Sequence, residues 1–258
     1  MQPSTLLGAV LRRGWAVLAR RRGPRARPLP GDLLRGAVRA SPLAGTAVGR
    51  ALDQGLLRQA TPTTCGSASL LLARLLVDAD RAAQVLGGDR PLERFAAAEQ
   101  MVKRRTNGLR RPGGRPRLPW PRSLGTPPWG AAAEMTCVYR LDGTVFAVRP
   151  VDSDCAADRL AAFDAVSACV RAGLAAPVYV GNGLSPRHVV LAVAVTSGAL
   201  EVYDPATGGL VRIDRHAFAT GQLALSGWNR IWAVVVPVSR RRPAPARPSA
   251  AAAPRRPR

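Results

Sequence analysis

The chain has 258 residues, 47% of them hydrophobic, with 25 Gly and 23 Pro, which suits one domain with a substantial core and many turns. Aromatic residues make up only 5%, so Leu, Val and Ala must fill that core. The formal charge of +22 raises nucleic-acid binding as a function, but the distribution of charge excludes a uniformly basic domain. Residues 1–58 carry 11 Arg against 2 Asp, residues 103–122 carry 7 Arg and one Lys with no acid, and residues 240–258 carry 7 Arg with no acid. The remaining segments, 59–102 and 123–239, hold 12 Arg and 14 acids. The globular part is therefore close to neutral, and nucleic acid is not the expected primary partner. Peripheral contact with an anionic surface falls to the Arg-rich ends.

In chain order, residues 1–30 read as a basic extension. Its apolar stripe of Leu6, Leu7, Val10, Leu11 and Val17 suits an interfacial helix, one packed on the domain, or a disordered leader, and a Pro/Arg link follows at 25–30. The apolar run precedes Arg12-Arg13, the reverse of a signal peptide, and no apolar run of about 20 residues occurs, so a cytoplasmic location is expected. Residues 31–239 form the expected domain. Leu33 to Val38 has helical spacing, and Gln59 to Thr64 is an irregular link because Pro62 disfavours helix before it. A helix is predicted from Cys65 or Gly66 to Leu76, with others over 81–86 and, opened by Pro91, over 91–102. Residues 103–128 form an Arg/Pro/Gly-rich loop, and Pro127-Pro128-Trp129-Gly130 then opens a helical stretch through Met135. Strands at Thr136–Arg140 and Thr144–Arg149 flank an Asp142-Gly143 turn. A helix over 158–172 stops at Gly173, and 177–180 is a short strand. Strands follow at 189–195, 200–203, 210–213 and 231–238, with turns at Ser197-Gly198 and Thr207–Gly209 and a short helix before the last. The unbroken apolar runs 189–195 and 231–238 mark central strands. Residues 240–258 read as a disordered Pro/Ala/Arg tail. The fold class is α+β: a helical first half, then a mainly antiparallel sheet.

The chemistry concentrates at element ends. Cys65 opens a helix, where unpaired N–H groups favour a thiolate, and His188 precedes an apolar strand. A hairpin from that strand returns Asp204-Pro205 to the end where His188 lies. A cysteine nucleophile needs an imidazole to manage its proton and a group behind the ring to orient it. Cys65, His188 and Asp204 supply these, with Asn229 in reserve behind the ring, and Gln59 with the Cys65 N–H can form the oxyanion hole. Without any CxxC, and with His216 as the only other histidine, no metal or cofactor is expected. Cys137, Cys155 and Cys169 read as buried fillers, or two of them as a disulfide. Trp129 reads as a core anchor or as a wall of the cleft.

With Gln59, Cys65-Gly66, His188 and Asp204-Pro205 in this order, the chain resembles the papain-like superfamily and, within it, the bacterial C39-like cysteine peptidases. The resemblance covers about residues 55–240. It implies a papain-like fold, Cys65, His188, Asp204 and Gln59 as catalytic residues, and cleavage of a peptide or protein substrate through a thioester. No transporter domain accompanies the motif, and the 103–128 loop departs from the family, so the fold carries over better than the leader-processing role. Two other classes stay open: an acyl-transferase using the same triad, and a non-catalytic interaction domain of the same fold.

Overall fold

The computed structural model describes residues 45–108 and 120–239, together with Leu43 and the isolated positions Val10, Arg13, Gly14 and Val17. The expectations for the N-terminal extension as a whole, the helix near Leu33, the centre of the 103–128 loop and the tail from 240 lie outside the described residues.

Helix α1 (Ala47–Asp53) starts at Thr46, whose hydroxyl accepts the Gly49 N–H. Helix α2 (Cys65–Leu75) has ten buried residues, as expected of a helix that is apolar all round and sits centrally. Each of Leu70, Leu71 and Leu72 is almost fully buried, which stabilises the fold by about 1.5–3 kcal/mol per side chain before entropy is counted. Asp78 caps α3 (Ala79–Leu86), and Pro91 opens α4 (Pro91–Asn107).

Helix α4 runs five residues beyond its expected end, so the 103–128 loop is shorter than the composition implied. Nothing in Lys103 to Asn107 breaks a helix before Gly108, and Thr106 is buried with its hydroxyl donating to the Val102 carbonyl. The expected strand at Thr136–Arg140 is also corrected: α5 (Pro128–Tyr139) continues through it. Thr, Val and Tyr favour strands locally, but burial of Met135 and Tyr139 one turn apart overrides that preference. The Thr136 hydroxyl donates back to the Ala132 carbonyl and accepts the Phe146 N–H, and Arg140 ends the helix with φ 47°. Asp142-Gly143 therefore joins a helix to a strand.

Strand β1 (Thr144–Pro150) is followed by α6 (Ala156–Arg171), β2 (Ala176–Gly181), β3 (Pro186–Thr196), β4 (Ala199–Asp204), β5 (Gly209–Ile213), the short α7 (Arg215–Thr220) and β6 (Arg230–Ser239). They form one six-stranded sheet in the order β1-β6-β2-β3-β4-β5, with every pairing antiparallel. All of β2 and eight consecutive residues of β6 are buried, so the middle of the sheet is covered on both faces. Helices α2, α5 and α6 pack against it. The architecture is α+β. All four cysteines are free, so no two of them pair; Cys65 and Cys169 are buried, whereas Cys137 and Cys155 are exposed and so do not fill the core. No helix among the described residues is long and apolar enough to cross a membrane.

Candidate functional site

Cys65 is the first residue of α2 and is only 3% exposed. The helix is tied to β3 one turn later, where the Ser69 hydroxyl donates to the Val189 carbonyl (3.1 Å). Gly66 is required here because a Cβ would come within 2.6 Å of the Thr126 side chain. Thr126 is itself fixed by Ser67 (Oγ to Oγ1, 3.2 Å) and by the Tyr179 hydroxyl, which donates to its carbonyl (3.1 Å). Gly125, with φ 69°, lies against the Thr63 carbonyl where a Cβ would approach to 2.8 Å. The end of the 103–128 segment thus packs along the link that leads to Cys65 and along the first turn of α2.

His188 lies inside β3, paired with Val180 of β2, rather than just ahead of the strand. Its Nε2 donates to Asp204 Oδ1 at 2.7 Å, and both side chains are buried, at 5% and 1% exposure. The hairpin turn alone does not produce this pair. Ser197 and Gly198 form a two-residue turn with positive φ at both positions. Counted from it in strict register, Asp204 would stand opposite Leu191, on the other face of the sheet from His188. Instead Ala192 pairs with Val202 and Ala194 with Glu201, leaving Val193 as an extra, bulged residue. Beyond the bulge Leu191 pairs with Tyr203, which brings Asp204 level with Val190 and onto the face of His188.

The strand end is also locked to the cysteine link. The Gln59 N–H donates to the Pro205 carbonyl (2.8 Å), and the buried Tyr203 hydroxyl donates to the Leu57 carbonyl. Both residues flank Asp204, so the sheet and the Cys65 link are fixed relative to one another.

The electrostatics follow from this packing. Burial disfavours the His188 imidazolium, yet hydrogen bonds to Asp204 and to Cys65, and the charges of those groups, outweigh it and push its pKa up to about 9. The Asp204 carboxyl is opposed by burial, but bonds from His188, Ser226 and the Ala206 N–H hold it below the usual carboxylate range. The ring is therefore protonated at neutral pH, between a carboxylate and the sulfur. With Nε2 committed to Asp204, Nδ1 is the atom left to face Cys65.

Among the residues named from sequence, Cys65, His188 and Asp204 meet. Gln59 reaches the same region, but its side-chain amide donates to the Thr61 carbonyl (3.0 Å) and its Oε1 is buried without a partner. Asn229 is exposed and does not stand behind the ring. His216 is exposed on α7, and Trp129 is half-buried edge-on to Trp120, with ring centroids 5.2 Å apart. Two residues escaped the sequence reading. Ser226, in a tight turn with φ 48°, donates its hydroxyl to Asp204 Oδ2 (2.6 Å). Its only sequence signal was the Ser226-Gly227 pair, which marks a turn and nothing more. Glu99 of α4 is fully buried beneath the link, where its Oε2 accepts the Ala60 N–H (3.1 Å). Burial pushes its carboxyl pKa up, against the Ala60 N–H, the Thr64 hydroxyl and the charge of Lys103. A carboxylate in a helical run gives no hint of this from sequence. Among the described residues no group of three His, Cys, Asp or Glu side chains is arranged to hold a metal ion. Comparison with models of protein families and with curated proteins finds no match for this chain.

Proposed function

We propose that the protein is a papain-like cysteine hydrolase, akin to the C39-like peptidases, that cleaves a peptide or amide bond through a thioester. The observation that carries this reading is the His188 ring buried between two groups: its Nε2 meets Asp204 Oδ1 at 2.7 Å, and Cys65 lies near enough for its charge to raise the ring's pKa. The order of the three residues along the chain, and their places at a helix start and at adjacent strand ends, support it further.

In the reaction, the Cys65 sulfur attacks the carbonyl carbon, and the carbonyl π electrons move onto oxygen. The oxyanion faces the N–H groups at the start of α2, with the Cys65 N–H first among them. The tetrahedral species collapses by breaking the C–N bond, and His188 gives its proton to the departing nitrogen. The neutral ring then takes a proton from water as that water attacks the thioester. Collapse expels the Cys65 thiolate, releases the acid and leaves His188 protonated again. Asp204 holds the ring in one tautomer throughout and stays ionised, with Ser226 and the Ala206 N–H steadying it. An amine in place of water gives acyl transfer by the same steps. The Gln59 amide joins the oxyanion site once it leaves the Thr61 carbonyl.

The direct test is digestion of a proteome-derived peptide library, with new termini read by mass spectrometry. The reading expects cleavages that vanish in Cys65→Ala and in His188→Ala. Cleavage that persists in Cys65→Ala, or a library left intact by the wild type, counts against it.

A further inference from the structure

Helix α2 differs from three other helices in how it begins. Thr46, Asp78 and Asp214 stand in extended backbone and cap α1, α3 and α7 with their side chains. Thr64 precedes α2 and is as capable a cap, yet its side chain makes no cap hydrogen bond, and its backbone sits at φ −110°, ψ 5°. This is the sparsely allowed bridge region, where many active-site residues are found. The hydroxyl is turned backwards instead. It accepts the Thr61 N–H (3.0 Å) and donates to the Thr61 carbonyl (2.8 Å), with the Glu99 carboxyl nearby.

Glu99 also holds the far end of the link through the Ala60 N–H (3.1 Å), while its Oε1 is buried with no partner. One turn along α4, the Lys103 ammonium donates to the Thr63 hydroxyl (2.8 Å). A single helix face thus grips the link at Ala60 and Thr63, on either side of the turn that leads to Thr64.

The consequence falls on the first turn of α2. A capped helix has a side-chain oxygen on the N–H of its second or third residue, which is where an oxyanion of a substrate bound at Cys65 would have to sit. We propose that Glu99 is a positioning residue for the oxyanion site: by holding Ala60 it fixes the turn in which the Thr64 hydroxyl bonds back to Thr61, which keeps that hydroxyl off α2 and leaves the N–H groups around Cys65 open. This rests on the reading of Cys65 as the nucleophile. Glu99 touches no substrate and acts through Thr64 and the link.

Two reactions of Cys65 separate this role from simple support of the fold. Alkylation by iodoacetamide displaces iodide and develops no oxyanion, so it reads only the sulfur and His188. Acylation by p-nitrophenyl acetate, counted as the nitrophenolate released above a Cys65→Ala control, needs the oxyanion site. Glu99→Met should lower acylation by about tenfold or more, within the ~10²–10³ scale of losing an oxyanion donor, while alkylation stays within about threefold. Glu99→Gln keeps a carbonyl oxygen for Ala60, and should restore acylation to within about threefold of wild type. In a Thr64→Val background, where no hydroxyl exists to cap the helix, Glu99→Met should cost much less acylation than in wild type. Glu99→Asp, whose carboxyl falls one methylene short, replaces Glu99→Met if that variant does not fold. Equal acylation by wild type and Glu99→Met, or losses of acylation and alkylation in the same ratio, overturns the proposal. A wild-type Cys65 whose alkylation ignores His188→Ala overturns the hydrolase reading itself, and this role with it.

Discussion

At the scale of single residues, the protonated ring of His188 makes the sharpest predictions. Its folded pKa of about 9 stands above the usual histidine value of about 6.5. A group raised in this way stabilises the fold fully below its unfolded pKa and loses that contribution as pH rises through the folded one. The stability gap between wild type and His188→Ala, measured by urea melts, should therefore be widest below about pH 6.5 and close as pH passes about 9. A gap that widens with pH would mean that the ring is buried neutral. Hydrolysis should fall over the same upper limb, because His188 then lacks the proton that the leaving nitrogen needs. Asp204→Asn, which spoils the tautomer while preserving shape, is expected to cost about 10³–10⁴ in kcat. Ser226→Ala should cost far less, since the Ala206 N–H still holds Oδ1 at 3.0 Å and Ser226 is exposed enough for water to replace its hydroxyl. Equal losses from the two variants would place the orienting role elsewhere. At this scale the meeting of Cys65, His188 and Asp204 was legible: a cysteine at a helix start, a histidine at a strand start and an Asp-Pro end are visible in residue types and order. Ser226 and Glu99 were not, because a serine in a turn and a glutamate on a helix are ordinary residues until a fold brings them to another side chain.

At the scale of elements, a one-residue bulge decides whether the His188–Asp204 pair exists. Because side chains alternate along a strand, Val193 changes the parity of β4 against β3 and turns Asp204 toward His188. Deleting Val193 removes the extra residue, so strict register from the Ser197-Gly198 turn then still brings Asp204 level with Val190, and Cys65 alkylation should stay near the wild-type rate. Alkylation that falls to the level of Asp204→Ala in a folded deletion variant would show that the pair depends on the bulge itself and not on the register it sets. The strands around this hairpin were legible because Val189–Val195 and Ile231–Val238 are too apolar for anything but a covered sheet. The bulge was not legible: nothing distinguishes Val193 from its neighbours, and pairing across a hairpin is settled by packing on both faces. The same cause explains Thr136–Tyr139, strand-like in composition but held in α5 by the burial of Met135 and Tyr139. Gly66 is an element-scale matter too. Gly66→Ala should push Thr126 off the first turn of α2 and lower the Tm, because Thr126 is held on its other side by Tyr179.

At the scale of the whole molecule, charge and core occupy different parts of the chain. The hydrophobic core spans Val48 to Val236, within a segment whose arginines are largely matched by acids, as in Arg105–Glu134, Arg149–Asp158 and Arg230–Asp154. A chain cut to residues 43–239 is therefore expected to keep the Tm and the Cys65 reactivity of the full protein, and any affinity for polyanions should leave with the ends. A truncated chain that unfolds would assign the ends a structural part. The α+β class was legible at this scale from the change of hydrophobic period along the sequence. The strand order was not, since β6 lies between β1 and β2 through contacts no local pattern encodes.

The central claim is that a buried sulfur is reactive because His188 and Asp204 stand behind it, and the rate of Cys65 alkylation by iodoacetamide as a function of pH measures this directly. Cys137 and Cys155 are exposed and serve as internal references. The account predicts that Cys65, despite being 3% exposed, reacts faster than either at neutral pH, with an inflection near pH 9 that disappears in His188→Ala. A Cys65 that reacts more slowly than the two exposed cysteines, at a rate indifferent to His188, would contradict it.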